Sequence, residues 1–200
     1  LTITDPGGGF PVTIDASAMD AADTLTIRGS GAITISGLVA DLTSYATGAL
    51  TISTDASAAQ TIRFEASPTG TLTLGGAESI ELANTVDLSA LTLTGGSYSL
   101  TLDTNASVAT TVTQHNNATA ITAAGSETIT FTDAGTATGN AAVETYVLAA
   151  GTNAFTLGAD GQNVTTDSTG ATGTVTINTG SITSVTGTFD DNGGNDTIDL

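Results

Sequence analysis

The stretch LTISTDASAAQ, Leu50–Gln60, returns as LTLDTNASVAT at Leu100–Thr110, so that Leu102 repeats Ile52 fifty residues later. A second echo follows: TLTLGGAESIEL at Thr71–Leu82 reappears as AITAAGSETITF at Ala120–Phe131. Shorter copies precede both. Ile14-Asp15-Ala16-Ser17 anticipates Asp55-Ala56-Ser57, and SGAITISG at Ser30–Gly37 anticipates TGTLTLGG at Thr69–Gly76. A chain that restates itself roughly every 40–50 residues stacks one structural unit, with like residues above like.

Within each copy, apolar residues alternate with Thr or another small polar residue, as in Leu25–Ile27, Ile33–Ile35, Ile62–Phe64, Leu72–Leu74, Ile129–Phe131 and Val175–Ile177. A period of two marks a strand with one face buried. Between the strands stand Gly, Asp, Asn and Ser, as at Gly29-Ser30-Gly31, Gly75-Gly76, Gly95-Gly96 and Asn116-Asn117, the residue types that tight corners need. Short strands at this spacing also suit an antiparallel sandwich. The repeat favours the other arrangement, an all-β parallel β-solenoid of the β-helix or β-roll kind, with short strands and Gly, Asp and Asn corners. With a turn of roughly 20–25 residues and layers about 4.8 Å apart, eight to ten turns make a rod about 40–50 Å long. No convincing helix is expected; only Ser17–Ala22 and Leu38–Ala46 could hold a short turn of one. Residues 1–134 read as the regular solenoid. Residues 135–200 read as its less regular continuation within one domain, the seam at Gly135–Ala142 being a loop.

Composition bounds the function. Of 200 residues 39% are hydrophobic, which excludes a disordered polar chain, but only 4% are aromatic, so Leu, Ile, Val and Ala must fill the core. Twenty acids oppose two arginines and no lysine, for a formal charge of −18. Such a surface repels nucleic acid and anionic lipid and collects cations. There is no Cys for disulfides or thiolate metal sites, and no apolar run of membrane-spanning length. The opening Leu1-Thr2-Ile3-Thr4 has neither a Met start nor a leader, and is read as the beginning of a piece of something longer.

Few residues suit catalysis. The single His, His115, falls in Gln114-His115-Asn116-Asn117 and is expected in a solvent loop. Arg28 and Arg63 share a Thr-Ile-Arg context and are expected to pair with carboxylates such as Asp23 or Glu65. Glu78 and Glu81, at odd spacing, belong to opposite faces of a strand, a poor geometry for paired acid–base work. No enzyme activity is expected. Asp15, Asp55 and Asn105 are each followed by Ala-Ser and are expected to cap one equivalent corner by bonding their own backbone. Asn105-Ala106-Ser107, Asn117-Ala118-Thr119 and Asn163-Val164-Thr165 fit the N-x-S/T acceptor pattern.

The ending Asp190-Asp191-Asn192-Gly193-Gly194-Asn195-Asp196-Thr197-Ile198-Asp199-Leu200 resembles one nonapeptide, G-G-x-G-x-D-x-U-x, of the RTX calcium-binding β-roll family. Gly194, Asp196 and Ile198 take the fourth, sixth and eighth positions, with Asp191 and Asn192 in place of the first two glycines. The resemblance implies Ca²⁺ held by loop oxygens, with Asp190, Asp191, Asn192, Gly194, Asp196 and Asp199 as candidate ligands; hard oxygen donors suit that ion. Thr-x-Thr triplets such as Thr24–Thr26, Thr71–Thr73, Thr111–Thr113 and Thr128–Thr130 resemble the ice-binding arrays of β-solenoid antifreeze proteins, although in sequence they scatter among Ser, Glu and Arg.

Taken whole, the Thr-, Ala- and Gly-rich, Lys-free chain resembles the repetitive regions of bacterial surface-layer and adhesin proteins exported by type I secretion. That resemblance implies a secreted structural protein at the bacterial cell surface or in the extracellular matrix, self-assembling into a lattice or filament and hardened by calcium. It implies no nucleic-acid partner and no membrane insertion, with cell-surface glycan as a further partner. Two rivals stand beside it. One is an adhesin for ice or glycan, which needs an aligned face that the dispersed Tyr45, Tyr98 and Tyr146 do not announce. The other is a β-helix enzyme acting on polysaccharide, which needs clustered carboxylates in a cleft.

Overall fold

In the computed structural model the described residues are 1–5, 11–166, 175–182, 186, 187, 189, 190 and 197–199. The strands in the first half are β1 (Thr2–Thr4), β2 (Val12–Asp15), β3 (Thr24–Gly29), β4 (Ile33–Leu38), β5 (Asp41–Ala46), β6 (Ala49–Thr54), β7 (Thr61–Phe64), β8 (Thr69–Leu82) and β9 (Leu91–Leu102). After β10 (Ser107–Thr110) comes a helix, α1 (Val112–Asn117), then β11 (Ala118–Thr122), β12 (Thr128–Phe131), β13 (Thr136–Thr138), β14 (Thr145–Leu148) and β15 (Asn153–Thr156). The described strands end with β16 (Asn163–Thr166), β17 (Val175–Asn178), β18 (Phe189–Asp190) and β19 (Thr197–Asp199).

Among the described residues every strand pairing is parallel, and each joins strands one turn apart. The chain is a parallel β-solenoid of about eight turns. Four ladders build it. The first runs β1, β3, β5, β7, the second half of β8, the second half of β9, and β11; the second runs β2, β4, β6 and the first halves of β8 and β9. β8 and β9 pass round a corner between the two, at Gly75-Gly76 and Gly95-Gly96, where the register shifts. The third ladder runs β10, β12, β14, β16, β18 and the fourth β13, β15, β17, β19.

Inward side chains form buried columns. Leu25, Leu42, Ile62, Ile80, Leu100 and Ile121 stack in the first ladder, and Ile14, Ile35, Ile52 and Leu72 in the second. Each such side chain contributes about 1.5–3 kcal/mol on leaving water. Stacked glycines permit the corners: a Cβ on Gly96 would lie 2.0 Å from the carbonyl oxygen of Gly76.

The stacking step differs from the sequence echo. Ile52 pairs with Leu72 and Leu72 with Leu93, steps of 20 and 21 residues in the second ladder, whereas Leu102 pairs with Leu82 in the first. Fifty residues is therefore about two and a half turns, and the echo carries a strand-and-corner unit from one face to another. The half-turns resemble each other because each is a short alternating strand closed by a small-residue corner.

Three local expectations are corrected. Ser17–Ala22 forms turns and Leu38–Ala46 holds the end of β4, a corner at Val39-Ala40 and β5, while a helix stands at Val112–Asn117. It forms there because Thr111 is an N-cap whose hydroxyl accepts from the Gln114 N–H at 3.0 Å, and the Gln114 side chain accepts from the Thr111 N–H at 2.9 Å. Thr111-Val112-Thr113 is thus a helix start rather than a strand triplet. His115 is consequently inside: it is 5% exposed, with Nε2 3.2 Å from the Tyr146 hydroxyl. Its ring meets Phe131 and Tyr146 edge-on at centroid distances of 5.2 and 5.6 Å.

Candidate functional site

The outward residues of the second ladder are sorted by the fold in a way that linear sequence does not display. Thr13, Thr34, Thr51, Thr71 and Thr92 lie in register, one above the next, through five consecutive turns. At about 4.8 Å per layer the row is about 19 Å long. Beside it runs a second polar row, Asp15 against Ser36 and Ser53 against Thr73 and Thr94, with the Thr94 hydroxyl donating to Thr73 Oγ1 at 3.3 Å. The first ladder's outward row is different in kind: Thr26, Thr43, Arg63, Glu81 and Thr101. The interruptions of Thr by Arg and Glu thus fall on one face and leave the other regular.

The regular face ends at α1, which occupies a layer where a strand would otherwise stack. Toward the preceding turn, Gln114 Nε2 donates to the carbonyls of Leu88 and Leu91 at 2.9 and 2.8 Å, and the Tyr98 hydroxyl donates to the Gln114 carbonyl at 2.6 Å. Toward the following turn, Asn116 Nδ2 donates to the carbonyl of Thr136 at 2.8 Å. Six helical residues advance only about 9 Å, less than half the span of the same residues as a strand, so the helix does not fill the layer. A groove of about 460 Å³ opens between it and the Leu91–Tyr98 edge of β9. A second, of about 390 Å³, lies between the helix and the segment Thr136–Asn140. Burial pushes the Tyr98 hydroxyl up to about 12 and holds the His115 imidazole below its ordinary range.

Charged side chains are spent on the stack. The Arg63 guanidinium donates to Glu65 at 2.6 Å, to Asp103 through two bonds of 2.8 and 2.7 Å, and to Glu81 at 3.5 Å, in agreement with the expected pairing to Glu65. Arg28 instead lies over the Tyr45 ring, 3.8 Å from its centroid, and no ion pair joins it to Asp23. Glu78 and Glu81 do take opposite faces. Glu78 points inward, 2% exposed, and accepts from the Thr54 hydroxyl and the Gly76 N–H. Glu127 is likewise fully buried and accepts from the Asn105 N–H at 2.8 Å; neither buried glutamate was evident from the sequence.

Asp15 ends β2 and Asp55 follows β6, both in the second ladder, and they accept from the N–H of Ser17 and Ser57 at 3.1 and 2.7 Å. The hydroxyl of the same serine first, and its N–H second, hold each carboxyl below its ordinary range. Asn105 is not equivalent. It follows the first-ladder half of β9, with φ +60°, and its side chain accepts from the Ser126 N–H one turn away.

Of the candidate calcium ligands, Asp190 lies in β18 and Asp199 in β19, on the third and fourth ladders. Asp191, Asn192, Gly194 and Asp196 fall outside the described residues. Among the described residues no group of three or more His, Asp and Glu side chains is placed to hold a metal ion, and no helix is long and apolar enough to cross a membrane. Comparison with known proteins found no matching family model, no similar curated protein and no similar solved structure.

Proposed function

We propose that this chain is an extracellular structural repeat protein, a building block of a surface layer, fibre or matrix that self-assembles and is stabilised by calcium. The observation that carries the proposal is the continuous parallel stack. Each turn is hydrogen-bonded to its neighbours and buried columns run along the axis, an arrangement that resists bending and extends by repetition. Open solenoid ends present unpaired backbone groups, which a further repeat, a cap or another copy would cover. The formal −18 charge supports the ion's role, because divalent cations relieve repulsion among carboxylates, and binding to the folded chain alone raises its stability. The acid-rich Asp190–Asp199 segment is where calcium would bind through hard oxygen donors. Melting in calcium and in chelator, followed by electron microscopy of both samples, tests the reading. A higher midpoint and ordered lattices or filaments in calcium are expected; equal midpoints and dispersed monomers in both overturn it.

The threonine row favours a second reading, an adhesin whose regular hydroxyl face binds an ordered surface such as ice. Thermal hysteresis of the parent protein, reduced at least twofold by Thr51→Tyr in the middle of the row, is the expected result. No hysteresis dismisses it.

A further inference from the structure

We propose that the groove between β9 and α1 is a binding site for an uncharged oligosaccharide. This goes beyond the scaffold reading and does not depend on it.

The groove's chemistry carries the proposal. None of the residues lining it is charged, in a chain with 20 acids. Its walls present hydroxyls from Thr92, Thr94 and Thr113 and the Asn117 amide, above an apolar patch that includes the half-buried Leu93. Sugar hydroxyls both donate and accept, and a sugar ring also offers apolar C–H faces, so a mixed wall of this kind suits it.

The backbone adds fixed partners. In the second ladder, inward residues turn their N–H and C=O toward the following turn, as the bonds from Val12 N–H to Ala32 O and from Ala16 N–H to Ser36 O illustrate. By the same alternation Leu93 aims its own at the layer occupied by α1, while the Leu91 N–H donates to the Leu88 carbonyl at 2.9 Å. The Leu91 carbonyl is taken by Gln114. Leu93 and Gly95 both line the groove.

Other ligand classes fit less well. Anions meet no cationic side chain there and are repelled by the protein's overall field. An extended peptide adding to the β9 edge lacks a straight run, because the chain turns the corner at Gly95, with φ +86°, directly after Thr94.

The test is a titration of the whole protein with maltotetraose, cellotetraose, mannotetraose and tetragalacturonate, monitored by calorimetry and ligand-detected NMR. At least one neutral tetrasaccharide is expected to bind with Kd below about 1 mM, and tetragalacturonate at least tenfold more weakly. Thr113→Trp, at an exposed helix position, fills the groove and is expected to weaken binding at least tenfold without moving the melting midpoint. Thr34→Trp, on the same face but three turns away, leaves binding unchanged. Absence of binding by all three neutral sugars, equal binding of the uronate, or parental affinity in Thr113→Trp overturns the proposal. If Thr113→Trp also lowers the midpoint, Asn117→Trp on the same helix decides by the same criterion.

Discussion

Arg63 and Asp103, 40 residues apart in sequence, are joined by two parallel hydrogen bonds, Nη1 to Oδ1 at 2.8 Å and Nη2 to Oδ2 at 2.7 Å. In the outward row of the first ladder Glu81 stands in the turn between them, so one guanidinium spans three successive layers. The pairing raises the already high Arg63 pKa and holds the Asp103 carboxyl below its ordinary range.

Arg63→Met leaves Glu65, Glu81 and Asp103 facing one another without a counter-charge. The side chains are about a quarter to a third exposed, so the loss is expected near 1 kcal/mol. Thermal melting at low salt should show a midpoint about 2–4 °C lower, the gap narrowing in 1 M salt as repulsion is screened. An unchanged midpoint at low salt would show that the clamp contributes nothing.

Acid should weaken the fold in two separate windows. Burial depresses the folded pKa of His115, so its contribution is complete above the unfolded value of about 6.5 and is lost as pH falls below it. Asp103, depressed chiefly by its bonds to Arg63, contributes above about pH 4 and loses that contribution as pH falls through its folded value. Melting midpoints measured from pH 8 to pH 3 should therefore lose the upper step in His115→Gln and the lower step in Arg63→Met. Because His115 is the single histidine, its imidazole resonance can be titrated directly.

Leu72 is fully buried between Ile52 and a half-buried Leu93, whereas Thr71 beside it faces outward. Leu72→Ala should cost about 2–5 kcal/mol through lost burial and a residual cavity. Thr71→Ala should stay within about 0.5 kcal/mol. Denaturant unfolding of both variants checks the contrast, and similar costs would mean that the columns are not what holds the turns together.

Two glycines with positive φ separate backbone strain from stacking. A Cβ at Gly70, φ +103°, would sit 2.0 Å from the Leu50 carbonyl oxygen, while one at Gly161, φ +83°, meets nothing within 4 Å. Gly161→Ala should cost about 1–2 kcal/mol of conformational strain alone. Gly70→Ala should cost more by about 2 kcal/mol or lose its fold, since the layers must also part. Equal midpoints for the two variants would contradict the close approach of layers at Gly70 in β8.

Much of the local structure was legible in the sequence, and the misses have physical causes. Alternation at Leu25–Ile27, Ile33–Ile35 or Ile62–Phe64 depends only on which face is wet, and those strands stand as expected. Thr111-Val112-Thr113 displays the same alternation, yet Thr111 and Gln114 also satisfy the reciprocal capping pattern. The caps and the packing of His115 against Phe131 and Tyr146 decide for the helix. Asp103 could not be chosen as the partner of Arg63 from sequence, because a pairing two turns away is set by the length of each intervening loop. Arg28 similarly finds Tyr45 because β3 and β5 place them side by side.

The sequence by itself determined a chain of short strands joined by small-residue corners, with an acidic surface and an aliphatic interior, since each of these follows from side chains and their immediate neighbours. Only the tertiary structure decided which half-turn stacks on which, that Thr13 through Thr92 form one row, and that the helix α1 opens grooves in the stack. The reason is that alternation is the same for every strand and so carries no register. Register is fixed when whole columns pack together, and successive turns of unequal length bring residues into contact at steps that no single repeat length describes.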